Sequence, residues 1–264
     1  PTDPGDYYQS ECGTWESSWH GTHVAGLAAA AYNNGAGIAG AAPGARILPV
    51  RVLGAGGQGR LSDVADAITW LAGGDVADVP GLPAESRPEV INLSIGWTVP
   101  STGDGSPACS PVEQAAIDLA ISRGIAVVAA AGNSSTTPAR VSPASCNGVI
   151  TVAASDATGR RAIYDGGTGG RGTSASNFGL SQIDLTAPGY ENITTSNTGT
   201  QHAGASSYRL FSGTSAAAPH VSAAVAVLQS LAPQSPAAVL DLLKQTSRPA
   251  ASNCSNCWIP GVIN

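Results

Sequence analysis

Five short apolar runs set the frame into which this chain has to fold: Arg46 to Leu53, Val90 to Ile95, Ala126 to Ala130, Val149 to Ala154 and Ile183 to Thr186. They are rich in Val and Ile but lack strict alternation of apolar and polar residues. A strand with one wet face alternates, whereas a strand covered on both faces does not, so these runs predict a buried, mainly parallel sheet. Parallel neighbours need long crossovers, and segments of helical period lie between the runs. Leu61, Val64, Ala65, Ile68, Leu71 and Ala72 recur at helical spacing and make one face of a helix from about Ser62 to Ala72. Ser110-Pro111-Val112-Glu113 is a capping box with proline at the first helical position, opening a helix that ends at Gly124. Ser235-Pro236 opens another, to about Thr246, and the stretches Val24 to Ala31 and Ala216 to Leu231 add two more. The expected fold is α/β, a doubly wound, mainly parallel sheet flanked by helices, in one domain over residues 1–264.

With 264 residues, 42% of them hydrophobic, the chain can bury a full core. Only 11% are charged while Gly (33) and Pro (18) are plentiful, which fits a loop-rich globular domain and excludes disorder and coiled coil. Three connections, at residues 73–88, 97–109 and 159–176, are rich in Gly, Pro or Ser and read equally as surface insertions or as loops beside a cleft. A net charge of -6 makes nucleic acid a poor partner. No membrane partner is expected either, because the longest apolar run, Ile121 to Ala131, is broken by Ser122, Arg123 and Gly124, well short of the roughly 20 residues of a span.

The chain contains no Met, even at position 1, which leads to the expectation that an N-terminal secretory signal and pro-segment have been removed. Five cysteines, at 12, 109, 146, 254 and 257, fit an oxidising compartment if one is left over. Cys109 and Cys146 are the first expected pair. Cys254 and Cys257 read as a short disulfide in preference to a redox or zinc half-site, since no second Cys pair accompanies them, and Cys12 is then the odd thiol.

Three motifs carry chemistry. Phe211-Ser212-Gly213-Thr214-Ser215-Ala216-Ala217-Ala218-Pro219-His220 puts a serine after a glycine turn, at the start of an Ala-rich helix. A serine hydroxyl becomes a nucleophile only when it is exposed and has a base beside it, and a helix N-terminus favours negative charge there. Taken alone, the pattern reads equally as a serine capping a buried helix. Alanine at 217 excludes a G-x-S-x-G elbow. His20-Gly21-Thr22-His23-Val24-Ala25-Gly26 places an imidazole at a helix start. His23, one turn on, suggests a metal pair, but no third ligand accompanies it, so His23 and His220 read as hydrogen-bonded structural histidines. Ala130-Ala131-Gly132-Asn133 sets an amide at the carboxyl end of a strand, where parallel sheets place their ligands. That amide can donate to a developing oxyanion, although an isolated Asn turn is common.

In this order the motifs resemble the histidine, oxyanion and serine motifs of the subtilisin-like serine proteases, and the resemblance spans essentially the whole chain. It is nearest to bacterial extracellular members with disulfides and expanded loops. The resemblance implies a secreted, monomeric serine endopeptidase acting through an acyl-enzyme, with Ser215 as nucleophile, His20 as base, and Asn133 with the Ser215 N–H as oxyanion donors. It implies polypeptide substrates lying between Ser94, Ile95 and Gly96 on one side and the Gly54 to Gly59 segment, with Gly54 and Gly56, on the other. Ala130, Ala131 and Gly132 would wall an apolar first specificity pocket. No cofactor is expected for catalysis, and structural calcium is expected. Ala216 stands where the family usually carries Met, and Trp97 where a glycine often follows. The family's aspartate lies in a D-[ST]-G turn about thirty residues before the histidine. Only nineteen residues precede His20, and neither Asp3 nor Asp6 has that context. The carboxylate is therefore expected from a segment outside this chain; the alternatives are a nicked protein whose pieces stay associated, or a pseudoprotease that binds peptide without efficient cleavage.

Overall fold

Along the central strands, successive side chains serve two different cores. The computed structural model describes residues 5–11, 13–99, 108–164, 174–251 and 260–263. In chain order the main elements are α1 (His20–Ala29), α2 (Leu61–Leu71), β1 (Val90–Leu93), α3 (Pro111–Ser122), β2 (Ala126–Ala130), β3 (Ile150–Ser155), β4 (Leu185–Pro188), β5 (Asn192–Asn197), β6 (Ser206–Phe211), α4 (Thr214–Leu231) and α5 (Pro236–Thr246). Strands β4, β3, β2 and β1 lie side by side in that order, and all three pairings are parallel.

Alternate residues of a strand point to opposite faces. Val127 and Ala129 accordingly join Val64, Ile68, Ile117 and Ala120 of α2 and α3, while Ala126, Val128 and Ala130 join Ala217, Val221 and Val225 of α4 and Val239 of α5. Val127, Val128 and Val152 are fully buried. Full burial of such a side chain is worth about 1.5–3 kcal/mol, and this double demand is why the runs show no polar alternation. Helices thus cover both faces, as expected, and most expected boundaries agree to within a few residues.

The Arg46 to Leu53 run departs from expectation. It forms no strand, and Ile47, Leu48 and Val50 are 49%, 43% and 38% exposed. The reason lies in its surroundings: an extended apolar segment becomes a strand only when a neighbour pairs with it. Its end, Val52, packs against the core that holds Ile91 and Leu93, while β1 is the last strand in the sheet order.

The antiparallel hairpin of β5 and β6, not foreseen in the sequence, packs on α1. Cys109 and Cys146 are joined by a disulfide that ties the segment before α3 to the one before β3. Cys12, Cys254, Cys257 and the glycine tract of residues 165–172 lie outside the described residues. Among the described residues no single helix is long and apolar enough to cross a membrane.

Candidate active site

The start of α4 is shaped by the proline inside it. Pro219 has no N–H, so the carbonyl four residues earlier, that of Ser215, loses its helical partner. The Ser94 hydroxyl replaces it, donating to Ser215 O at 2.9 Å, and the Ser215 hydroxyl in turn donates to Ser94 O at 3.0 Å. Asn92 Nδ2 donates to Ser94 Oγ, and Asn92 Oδ1 accepts from Ser222 Oγ. The end of β1 is thereby locked to the first turns of α4, with Ser215 half-buried at the second helical position. Ala216, Ala217 and Ala218 are fully buried, small enough for the helix to lie close on the sheet.

Asn133 is exposed just beyond β2. Its Oδ1 accepts from the Thr214 N–H at 2.9 Å and from the Thr214 hydroxyl at 3.1 Å, which leaves Nδ2 as the donor presented beside Gly213. The same Thr214 hydroxyl accepts from Gly132 N at 3.0 Å. Thr214 therefore fixes which way the amide faces. The sequence reading missed this residue; its fixed place next to Ser215 at a helix start was the available signal.

His20 is the first residue of α1, which packs along α4 and β5. The preceding Trp19 is left-handed, with φ 53°, and its indole N–H donates to Gly199 O. Asp6 accepts from both the backbone and the hydroxyl of Ser18 at 2.6 Å. The imidazole packs edge-on to Phe211, with ring centroids 5.3 Å apart. Burial pulls its pKa below 6.5, opposed by the Asp6 charge, so the ring is neutral at neutral pH. No hydrogen bond joins it to Ser215, whose hydroxyl is directed at Ser94. His23, one turn on, shares Ser196 Oγ at 3.0 Å, and burial, Arg209 and His20 hold its pKa at about 4. His220 Nδ1 donates to Ala216 O.

Asn133, Ser215 and Ser94 are thus brought together by hydrogen bonds. Ala130 and Ala131 are buried and Gly132 half-buried beside them. Ile95 is half-buried and Gly96 exposed beyond Ser94, and Trp97 packs against the core and pairs with Ser142. Gly54 and Gly56 are exposed, but their N–H groups are engaged locally, by Gln58 O and Asp6 O. A cavity of about 780 Å³ opens elsewhere, against Ala144, Cys146, Thr151 and Leu240, and none of Ser215, Asn133 or His20 lines it.

Among the described residues the one side-chain group within metal-holding range is Cys109, Glu113 and Cys146. Its sulfurs are bonded to each other, and one carboxylate does not make the six to eight oxygens that calcium takes.

Fold and site together define an α/β protein with the parts of a serine hydrolase. The subtilase family model, peptidase S8, matches residues 5–256, and the chain belongs to this family of serine proteases. It is 46% identical over 270 residues to an extracellular protease of Xanthomonas campestris pv. campestris, covering 99% of this chain and 42% of that protein. It is 37% identical over 262 residues to an extracellular basic protease of Dichelobacter nodosus, covering 94% of this chain and 40% of that protein. The chain therefore spans about two fifths of the length of these curated relatives. Among solved structures, proteases from Pseudoalteromonas arctica PAMC 21717 superpose with a TM-score of 0.84 at 39% identity, over 99% of this chain and 74% of that one. A cold-adapted subtilisin-like serine proteinase gives 0.68 at 27% identity, over 92% of this chain and 73% of that one.

Proposed function

We propose that this chain is the catalytic core of a secreted serine endopeptidase. Ser215 attacks the peptide carbonyl, His20 takes its proton and returns it to the leaving amine, and Asn133 Nδ2 with the Ser215 N–H holds the oxyanion. The observation that carries this reading is the orientation of Asn133, whose oxygen is fixed by Thr214 so that its N–H donor faces outward beside the nucleophile. For attack, the Ser215 hydroxyl turns from Ser94 O towards the imidazole, which frees that carbonyl for an extended substrate backbone. Secretion is supported by the names of the relatives, which are extracellular proteases.

The carboxylate that orients His20 comes, in this reading, from a strand outside the described residues. Support comes from β1, which among the described residues ends the four-stranded sheet, and from the exposed Ile47, Leu48 and Val50, which offer apolar surface to one more strand. In subtilisin, a family member, loss of the aspartate alone lowers kcat by about 3 × 10⁴. Calcium, proposed as a brace for loops, would be held chiefly by carbonyl oxygens, and a drop in Tm on adding EDTA checks it.

A fluorophosphonate probe tests the central assignment. Labelling at Ser215 that disappears in Ser215→Ala supports the protease; no labelling in a preparation that still binds peptide would leave a peptide-binding pseudoprotease.

A further inference from the structure

The loop that presents Asn133 is held from below by one buried side chain. Asn177 is fully buried, and both polar atoms of its side chain bond to that loop. Its Oδ1 accepts from the backbone N–H of Ser134 at 3.0 Å and of Thr136 at 3.1 Å, and its Nδ2 donates to Ala131 O at 2.7 Å. Its own backbone N–H donates to Gly132 O at 2.8 Å. One residue therefore grips the backbone on both sides of Asn133, at 131, 132, 134 and 136.

The segment around Asn177 extends this grip. Ser135 N donates to Ala175 O, Phe178 N to Thr136 O, and Ser174 Oγ to Asn133 O. Gly132 (φ 97°) and Ser135 (φ 52°) sit in left-handed conformations, so the turn has little preference of its own for this shape. The packing is tight as well: a Cβ at position 132 would fall 2.6 Å from Asn177 Nδ2. The glycine before Asn133 is thus required by the side chain beneath it.

From this geometry we infer that Asn177 is a positioning residue for the reaction proposed above: it fixes the loop so that the Asn133 amide stands where the oxyanion forms. It touches no substrate, and it acts through Asn133. A misplacement of about 1 Å in a catalytic group costs on the order of 100-fold in rate, so the clamp is worth that much in kcat and little in KM.

The inference rests on the protease reading, and two measurements on the full chain keep the two separable. The first is amide hydrogen exchange of wild type, Asn177→Ala and Asn177→Asp, which needs no activity. In Asn177→Ala, selective loss of protection at Ser134 and Thr136, with Val127 to Ala129 still protected, supports the clamp; unchanged protection at 134 and 136 overturns it, as does loss throughout the sheet. Asn177→Asp keeps the acceptors for Ser134 and Thr136 but faces Ala131 O without a donor, so it is expected to retain more of that protection. The second is kinetics below the melting range of every variant. A fall in kcat of about 100-fold in Asn177→Ala with KM within about threefold, which vanishes when Asn177→Ala is added to Asn133→Ala, supports action through Asn133. A loss that is additive with Asn133→Ala, or confined to KM, overturns it. If wild type supplied with the D-[ST]-G segment shows no Ser215-dependent hydrolysis, the protease reading falls, and the exchange result alone decides whether Asn177 positions the loop.

Discussion

Thr214 shows how much of a site can hang on a residue that does no chemistry. One hydroxyl both donates to Asn133 Oδ1 and accepts from Gly132 N, so its loss removes one of the two bonds that hold the amide oxygen, leaves the Thr214 N–H as the other, and loosens the amide. Thr214→Ala is expected to lower kcat by about tenfold, the order of one ordinary hydrogen bond of about 1.4 kcal/mol, with Thr214→Ser restoring most of it. Steady-state kcat and KM on a peptide substrate check this. His20 carries a second expectation. Burial lowers its pKa and Asp6 raises it, and a general base works only when neutral. Removing the Asp6 charge in Asp6→Asn therefore moves the acid limb of kcat/KM to lower pH; a limb that stays put or moves up would refute the coupling. The motifs of Ser215, His20 and Asn133 were legible in the sequence because each is local. Thr214, Asn177 and the Ser94 to Ser215 exchange were not, because their partners lie on other elements and no short window holds both.

Helix α3 illustrates the same divide between neighbours and distant partners. Its N-cap was readable: Ser110 Oγ accepts from Glu113 N and proline sits at N1. The fate of Glu113 was not readable. Its carboxylate is fully buried, takes a hydrogen bond from Ser142 Oγ through Oε2, and leaves Oε1 without a partner. Burial raises its pKa above 4.5, against the Ser142 bond and the Ser110 backbone. Above pH 4.5 the unfolded chain gives up this proton while the folded one keeps it, so the stability Glu113 contributes is full below that pH and declines as pH rises towards its folded pKa. The Tm difference between wild type and Glu113→Gln is therefore expected to shift against wild type from pH 4 to pH 7, by calorimetry at matched ionic strength. A pH-independent difference would place the proton elsewhere.

For the molecule as a whole, the sheet is the part that sequence and structure describe differently. Four of the five apolar runs became its strands, because each finds a parallel neighbour and two helical layers within the chain. The fifth, Arg46 to Leu53, has the composition of a strand without the neighbour, and strand formation is a property of pairs. If an added strand fills that side of β1, a version of the protein that includes a D-[ST]-G segment should show slowed hydrogen exchange at Val90 to Leu93, a higher Tm, and kcat raised by about 10⁴. Activity unchanged by that segment, with Val90 to Leu93 exchanging as before, would rule the arrangement out.

Ala216, buried directly after Ser215, the proposed nucleophile, has a chemical consequence of its own. Peroxide inactivates enzymes that keep a thioether beside a reactive hydroxyl, by converting sulfur to the bulkier, polar sulfoxide. This chain has no methionine at that place or anywhere else, so it should keep its hydrolytic rate through hours in dilute hydrogen peroxide, and Ala216→Met should confer sensitivity to bleaching.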